Sequence, residues 1–141
     1  MSAREYDVVI VGAGFAGMYL LHRVRRLGMS VRVLEQGSDV GGTWYWNRYP
    51  GARCDVESMQ YSYQFDHDLQ QEWHWPERYS AQPDILKYAQ HVADRFDLRK
   101  DIDFEMRLAS ARFDEESAIW TLKAEDDTVT MARFFVMATG C

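Results

Sequence analysis

Three glycines, Gly12, Gly14 and Gly17, stand in the pattern G-x-G-x-x-G. The run before them, Tyr6-Asp7-Val8-Val9-Ile10-Val11, is short, apolar and β-branched. The run after them carries Leu20, Leu21, Val24 and Leu27 at helical spacing. Strand, glycine turn and helix in that order make an anion-binding corner. Gly12 permits the tight turn, Gly14 lets backbone approach a pyrophosphate where a Cβ would block it, and Gly17 lets the helix pack close to the strand. The helix N-terminus offers unpaired N–H groups and the positive end of its dipole to phosphates. Glu35, 18 residues beyond Gly17, can accept both hydroxyls of an adenosine ribose and would repel a 2′-phosphate. These residues point to FAD or NAD(H) and away from NADP(H). A ligand-free glycine turn and a solvated carboxylate at a strand end are the plainer alternatives.

The elements that must position these groups follow from the pattern. Val31-Arg32-Val33-Leu34-Glu35 reads as a second strand, and Gly28 marks the helix end, giving β-turn-α-β in about thirty residues. The stretch from Gly37 to Ala81 fits no regular period and is dense in aromatics: Trp44, Tyr45, Trp46, Tyr49, Tyr61, Tyr63, Phe65, Trp73, Trp75 and Tyr79. A long irregular segment of this kind in a compact domain is expected to be functional. Most of its aromatics are expected to pack the segment onto the domain, with two or three lining a ligand pocket. Pro83 opens a helix whose face carries Ile85, Tyr88, Ala89, Val92 and Phe96. Segments near 102–108, 109–114, 118–124 and 128–138 read as an antiparallel ribbon, with a turn at Asp126-Asp127. The longest apolar run, Phe134 to Ala138, reads as a buried strand entering the core.

Composition narrows the function classes. A length of 141 residues suits one domain, and 47% hydrophobic with 27% charged residues excludes a disordered or collagen-like chain. No apolar run approaches the roughly 18 residues that span a bilayer. The first residues, Met1-Ser2-Ala3-Arg4-Glu5-Tyr6-Asp7, carry acids where a signal peptide would be apolar, so the expected compartment is the cytoplasm. A net charge of −6, from 16 basic and 22 acidic residues, disfavours a nucleic-acid surface. Arg23, Arg25 and Arg26 read as the C-terminal end of the first helix, where cations offset the dipole. Cys54 and Cys141 show no metal-ligand spacing, and no disulfide is expected. The four histidines share no spacing and read as surface or packing residues.

Two further motifs separate FAD from NAD. Gly41-Gly42 follow Glu35 as E-x5-G-G, and Ala138-Thr139-Gly140 follow an apolar strand. Both resemble the FAD-side motifs of flavoproteins with two dinucleotide-binding domains. The run Gly41-Gly42-Thr43-Trp44-Tyr45-Trp46-Asn47-Arg48-Tyr49-Pro50-Gly51-Ala52-Arg53-Cys54-Asp55-Val56-Glu57-Ser58 is more specific. It looks like the FAD domain of class B flavin monooxygenases, of the Baeyer–Villiger branch that includes phenylacetone, steroid and cyclohexanone monooxygenases. Trp73-His74-Trp75-Pro76-Glu77-Arg78-Tyr79 and Gln82-Pro83-Asp84-Ile85-Leu86 also fit that branch. The resemblance runs from about Tyr6 to Gly140.

The resemblance implies an α/β, Rossmann-like FAD-binding domain with a parallel sheet, helices on both faces and an antiparallel β-ribbon. It implies FAD and NADPH as cofactors. The implied activity inserts one oxygen atom of O2 next to a ketone carbonyl to give an ester or lactone. Gly12, Gly14, Phe15, Gly17, Glu35 and Gly42 would bind FAD, and Thr43, Trp44, Tyr45 and Trp46 would run along it. Tyr61 would contact the cofactor, and Leu108 would meet the adenine end through its backbone. Arg53, Cys54 and Asp55 would border the nicotinamide side of NADPH, and Asp55 would be catalytic by holding an arginine in place. A carboxylate beside an arginine keeps both charged, and the fixed cation can stabilise developing negative charge. Asp55 could also cap a turn or helix start before Val56, a role compatible with the first, and Cys54 could be a buried structural thiol.

Members of the family are several times longer. They carry a second G-x-G-x-x-G domain for NADPH, the catalytic arginine and the signature F-x-G-x-x-x-H-x-x-x-W-P, none of which occurs in residues 1–141. The chain is therefore expected to be the N-terminal portion of an incomplete FAD-binding domain. By itself it is expected to be inactive, and its partner is the missing remainder or a complementing chain. Three alternatives stay open: an N- or S-oxygenating class B enzyme, a non-catalytic FAD- or NAD-binding module, and a plain NAD dehydrogenase domain.

Overall fold

A computed structural model describes residues 3–141. Strand β1 (Arg4–Val11) lies between two parallel neighbours, β2 (Val31–Leu34) and β6 (Val129–Met137), with Val8 opposite Val31 and Phe134. Beyond β2 lies β3 (Ile102–Asp103), also parallel; beyond β6 lie β5 (Ile119–Ala124) and β4 (Leu108–Asp114), both antiparallel. The sheet order is β3-β2-β1-β6-β5-β4.

Helix α1 (Phe15–Arg26) buries Gly17, Met18, Leu21 and Val24. It ends where the Gly28 N–H donates to the Arg25 carbonyl with Gly28 at φ +76°. Arg23, Arg25 and Arg26 occupy its last turn, as expected. Leu27 is 70% exposed, and Met18 takes the buried place assigned to it from the sequence. Nine steps of about 100° put Leu27 half a turn away from Met18. Helix α4 (Gln82–Arg95), with Pro83 in its first turn, buries the expected Ile85, Tyr88, Ala89 and Val92, and also Leu86 and Ala93. Residues of α1 and α4 share one core with Val8, Ile10, Val31, Val33 and Ile102.

The other sheet face belongs to a separate core of Val9, Leu34, Leu122 and Ala132, flanked by Met106, Leu108 and Trp120. The Met106 N–H bonds the Glu35 carbonyl at the end of β2, and β4 begins two residues later. In a flat sheet β2 and β4 would stand about 19 Å apart, whereas two residues reach about 7 Å. The antiparallel ribbon therefore folds back over this face. The α/β class, the parallel sheet and the ribbon are as expected; the difference is that α1 and α4 cover one face and the ribbon covers the other.

Two strands also differ from expectation. Residues 102–103 join the parallel edge and not the ribbon, because the chain leaving α4 returns beside β2. Phe134 and Met137, expected to be buried, are 49% and 70% exposed. β5 pairs with β6 only from Val129 to Ala132, so the rest of β6 has β1 as its one strand neighbour.

The irregular segment contains two short helices, α2 (Thr43–Trp46) and α3 (His67–Glu72). Asp66 starts α3 by accepting the Leu69 N–H at 2.8 Å. An ion network closes the parallel edge: Asp103 accepts from Arg4 at 2.6 Å and from Arg32. Burial raises the Asp103 carboxyl, but hydrogen bonds from Arg32 and Arg4 outweigh it and hold the group below the ordinary carboxylate range.

Candidate cofactor site

The C-terminal end of β1, the N-terminus of α1 and the end of β2 converge on one cavity of about 830 Å³. That size lies within the roughly 300–1,000 Å³ of small-molecule and cofactor sites. Close backbone contacts set its floor. A Cβ at Gly17 would stand 1.8 Å from the Gly12 carbonyl oxygen, so only glycine lets α1 lie this close to the turn. Gly14 and Gly42 face one another across the cradle: a Cβ on Gly42 would lie 2.9 Å from the Gly14 Cα, and one on Gly14 would lie 3.3 Å from the Gly42 Cα. Gly42 also sits at φ +55°, where a side chain is strained. The two glycine motifs thus interlock, and a hydrogen bond from the Gly41 N–H to the Ala13 carbonyl at 3.1 Å pins them together.

No side chain caps α1 at Gly14, and no acid occupies its first turn. Gly14, Phe15 and Ala16 line the cavity, so the positive helix end opens onto it. Glu35 is 5% exposed and also lines the cavity. Its carboxylate accepts the Ala13 N–H at 2.8 Å and the Gly37 N–H at 2.5 Å. It is therefore a buried bridge between the two loops, unlike a solvated strand-end acid, and it keeps lone pairs for a ligand's hydroxyls. Among the described residues Arg107 is the one Lys or Arg on the wall; its Nη1 lies 3.3 Å from Glu125.

Aromatic side chains close the side nearest α2. The Trp44 Nε1–H donates to the Tyr61 hydroxyl at 2.9 Å, and the Tyr61 ring lies 5.4 Å from that of Phe15. Tyr63 stacks on Phe15 at 5.3 Å and donates its hydroxyl to the Phe15 carbonyl. Burial raises the Tyr63 phenol and pushes that of Tyr88 up to about 12, so both are neutral donors and acceptors at ordinary pH. Behind them Tyr88 meets Trp75 at 4.9 Å and Trp73 at 5.3 Å. Of the ten aromatics between Trp44 and Tyr79, Trp44, Trp46 and Tyr61 line the cavity, and most of the others pack among themselves and on α4.

The cavity brings together Gly12, Gly14, Phe15, Glu35, Gly42, Thr43, Trp44, Trp46, Tyr61 and Leu108. Five other residues singled out in the sequence lie off its wall. Gly17 supports the floor from beneath. Tyr45 packs its ring on Gly37 and hydrogen-bonds Ser38. Arg53 is exposed and reaches Glu77 at 2.8 Å and the Tyr79 carbonyl at 2.5 Å. Cys54 is buried with Trp44 and Ile85, its N–H on the Ser80 carbonyl. Asp55 is exposed. The wall also holds Asn47 and Thr139, from the two motif runs singled out in the sequence, and Gln36, Met106 and Arg107, which no motif marked. Gln36 and Arg107 are next to the marked Glu35 and Leu108 in sequence, and adjacency was the only signal for them.

The family described as NAD(P)-binding Rossmann-like domain matches residues 10–81, just over half the chain. A phenazine N-monooxygenase of Lysobacter antibioticus is 48% identical over 137 residues, which is 96% of this chain and 25% of that protein. An acetone monooxygenase (methyl acetate-forming) of Gordonia sp. strain TY-5 is 45% identical over 99% of this chain and 26% of its own length. Among solved structures, a steroid monooxygenase bound to NADP superposes with a TM-score of 0.95 at 58% identity, over 96% of this chain and 26% of that one. A cyclohexanone monooxygenase from Rhodococcus sp. Phi1 bound to NADP+ gives 0.96 at 41% identity, over 99% and 26%. The chain spans about a quarter of the length of the relatives it matches.

Proposed function

The chain belongs to the NAD(P)-binding Rossmann-like domain family, and from that premise we propose that its cavity holds FAD as the N-terminal portion of the FAD-binding domain of an NADPH-dependent flavin monooxygenase. The enzyme would act on ketones and O2 and insert one oxygen atom next to the carbonyl to give an ester or lactone. The observation that carries the reading is the cradle: an uncapped helix N-terminus, a buried carboxylate and two interlocked glycine motifs on one cavity. The residues fit the group. FAD brings a pyrophosphate, a ribose diol and a flat apolar ring system, and the wall offers a glycine-lined anion site, Glu35 and the Trp44–Tyr61–Phe15 face in turn.

In this reading Gly12, Gly14 and the α1 N-terminus hold the pyrophosphate through backbone N–H groups. Glu35 accepts the ribose hydroxyls while keeping its bonds to Ala13 and Gly37. Leu108 meets the adenine end, and Gly42, Thr43, Trp44, Trp46 and Tyr61 border the flavin. When bound, the flavin supplies the passage of electrons from NADPH to O2. Asp55 is assigned the role of holding an arginine from the remainder of the enzyme, with Arg53 and Cys54 beside the nicotinamide. The remainder, or a complementing chain, is the partner this requires. The compartment assigned is the cytoplasm; among the described residues no helix is long and apolar enough to cross a membrane.

The phenazine N-monooxygenase relative, at 48% identity, favours a second reading in which nitrogen of an aromatic heterocycle is oxygenated. The test is a longer protein containing this chain, given NADPH, isotopically labelled O2 and either a simple ketone or phenazine. One labelled oxygen in an ester supports the first reading, and one in an N-oxide supports the second. Bound flavin with neither product overturns both.

A further inference from the structure

Resting on the FAD reading above, we propose that Asp39 is a positioning residue for the cofactor site, tying the loop between Glu35 and Gly42 to α4 and the 3-10 turn at Arg99–Asp101. Asp39 does not line the cavity, yet both ends of its loop do, through Glu35 and Gly42. The loop holds Gly37, Gly41 and Gly42, with Gly41 at φ +129° and Gly42 at φ +55°. Glycines lose the most conformational freedom on ordering, so this loop needs an external hold.

Asp39 supplies one from the middle of the loop. Its Oδ1 accepts from Arg99 Nη1 at 2.6 Å and from the Val40 N–H at 2.7 Å, and its Oδ2 accepts from Gln90 Nε2 at 2.8 Å. Arg99 is itself fixed, because its Nε donates to Asp94 Oδ1 at 2.8 Å. Gln90 and Asp94 lie on α4, so three side chains anchor the loop to one rigid element. Burial raises the Asp39 carboxyl, but Arg99, Gln90 and the Val40 N–H together hold it below the ordinary range.

The Asp39 and Arg99 side chains are 24% and 35% exposed, and pairs so exposed add little to global stability. Their effect falls on the population of loop conformations. FAD needs Gly42 against Gly14 and Glu35 against Ala13 at the same time. Apparent affinity scales with the fraction of molecules in that arrangement.

Asp39→Asn and Arg99→Gln in the full chain are expected to weaken FAD binding roughly tenfold each, read by flavin fluorescence titration. The double variant should bind no more weakly than either single one, because both act on one contact. In the FAD-free proteins, amide hydrogen exchange at Gly37–Gly42 should quicken by a similar factor, with β1 protection and Tm unchanged. Wild-type exchange rates in that loop overturn the tether whether or not the protein takes up FAD. Faster exchange with undiminished FAD affinity overturns its link to the site. Equal loss of protection in β1, with a lower Tm, makes Asp39 a general structural residue and overturns the proposal too. A wild-type chain that takes no FAD refutes the FAD reading alone, and the exchange rates still decide whether Asp39 holds the loop.

Discussion

In the cradle, residues 10–42, the residues lining the cavity include four glycines, Gly12, Gly14, Gly41 and Gly42, and the uncapped first turn of α1. Glu35 is the one charged side chain among them, and it bridges two backbone N–H groups. In the aromatic segment, residues 43–81, the groups turned toward the cavity are side chains, and their neighbours are other rings. The cradle's glycines have no side-chain volume to lose, so substitutions at them act by adding atoms. The aromatic segment is held by packing, so substitutions there act by removing them. A charged, hydrogen-bonding half of a ligand suits the first surface, and a flat apolar half suits the second.

The largest effect should come from emptying the aromatic side. Tyr88 is 1% exposed, contacts Trp73, Trp75 and Tyr63, and accepts the Tyr63 N–H at 2.9 Å. Tyr88→Ala should cost about 3–5 kcal/mol of stability in thermal or denaturant unfolding. A cost under about 1 kcal/mol would show that the aromatic cluster is not a packed core. Adding an atom to the cradle comes next: Gly17→Ala puts a methyl 1.8 Å from the Gly12 oxygen and should cost about 1–3 kcal/mol, seen as a lower Tm.

Glu35→Ala should weaken FAD by about 1–3 kcal/mol through lost charge-assisted hydrogen bonds. It should also lower stability, because it leaves the Ala13 and Gly37 N–H groups without partners. Calorimetric titration beside a melting curve separates the two; lost stability with full FAD affinity would confine Glu35 to bridging the loops.

The smallest effect lies away from both regions. The folded-state pKa of Asp103 lies below its ordinary 3.8, so its contribution is present at higher pH. It should be lost as pH falls through that value toward the lower folded one. Asp103→Asn should flatten the acid limb of stability below about pH 5 and leave the neutral-pH site geometry in place.

Much of the cradle was legible because it depends on residue type at fixed spacing. Gly12, Gly14, Gly17 and Glu35 carry their geometry in their chemistry, and the helical period of α4 located Ile85, Tyr88, Ala89 and Val92. The sheet's third dimension was less legible. Nothing local in Ile102-Asp103 says that it pairs with β2, or that the ribbon folds over the opposite face, because both depend on partners far along the chain. The exposure of Phe134 and Met137 escaped for the same reason: hydrophobicity marks a strand but not how far its neighbour extends. The aromatic segment could be recognised as unusual but not resolved ring by ring. Trp46 and Tyr45 are adjacent, and one lines the cavity while the other covers Gly37.

The most direct measurement is the visible absorbance spectrum of the chain after incubation with FAD and gel filtration, beside the same experiment on Gly14→Val. If the cavity holds FAD, the wild-type protein keeps flavin near one equivalent. The variant, whose added methyls push toward Gly42 and into the pyrophosphate site, should keep none while remaining folded. A folded wild-type chain that emerges colourless, or a variant that retains flavin as well as the wild type does, would contradict the assignment of the cradle to FAD.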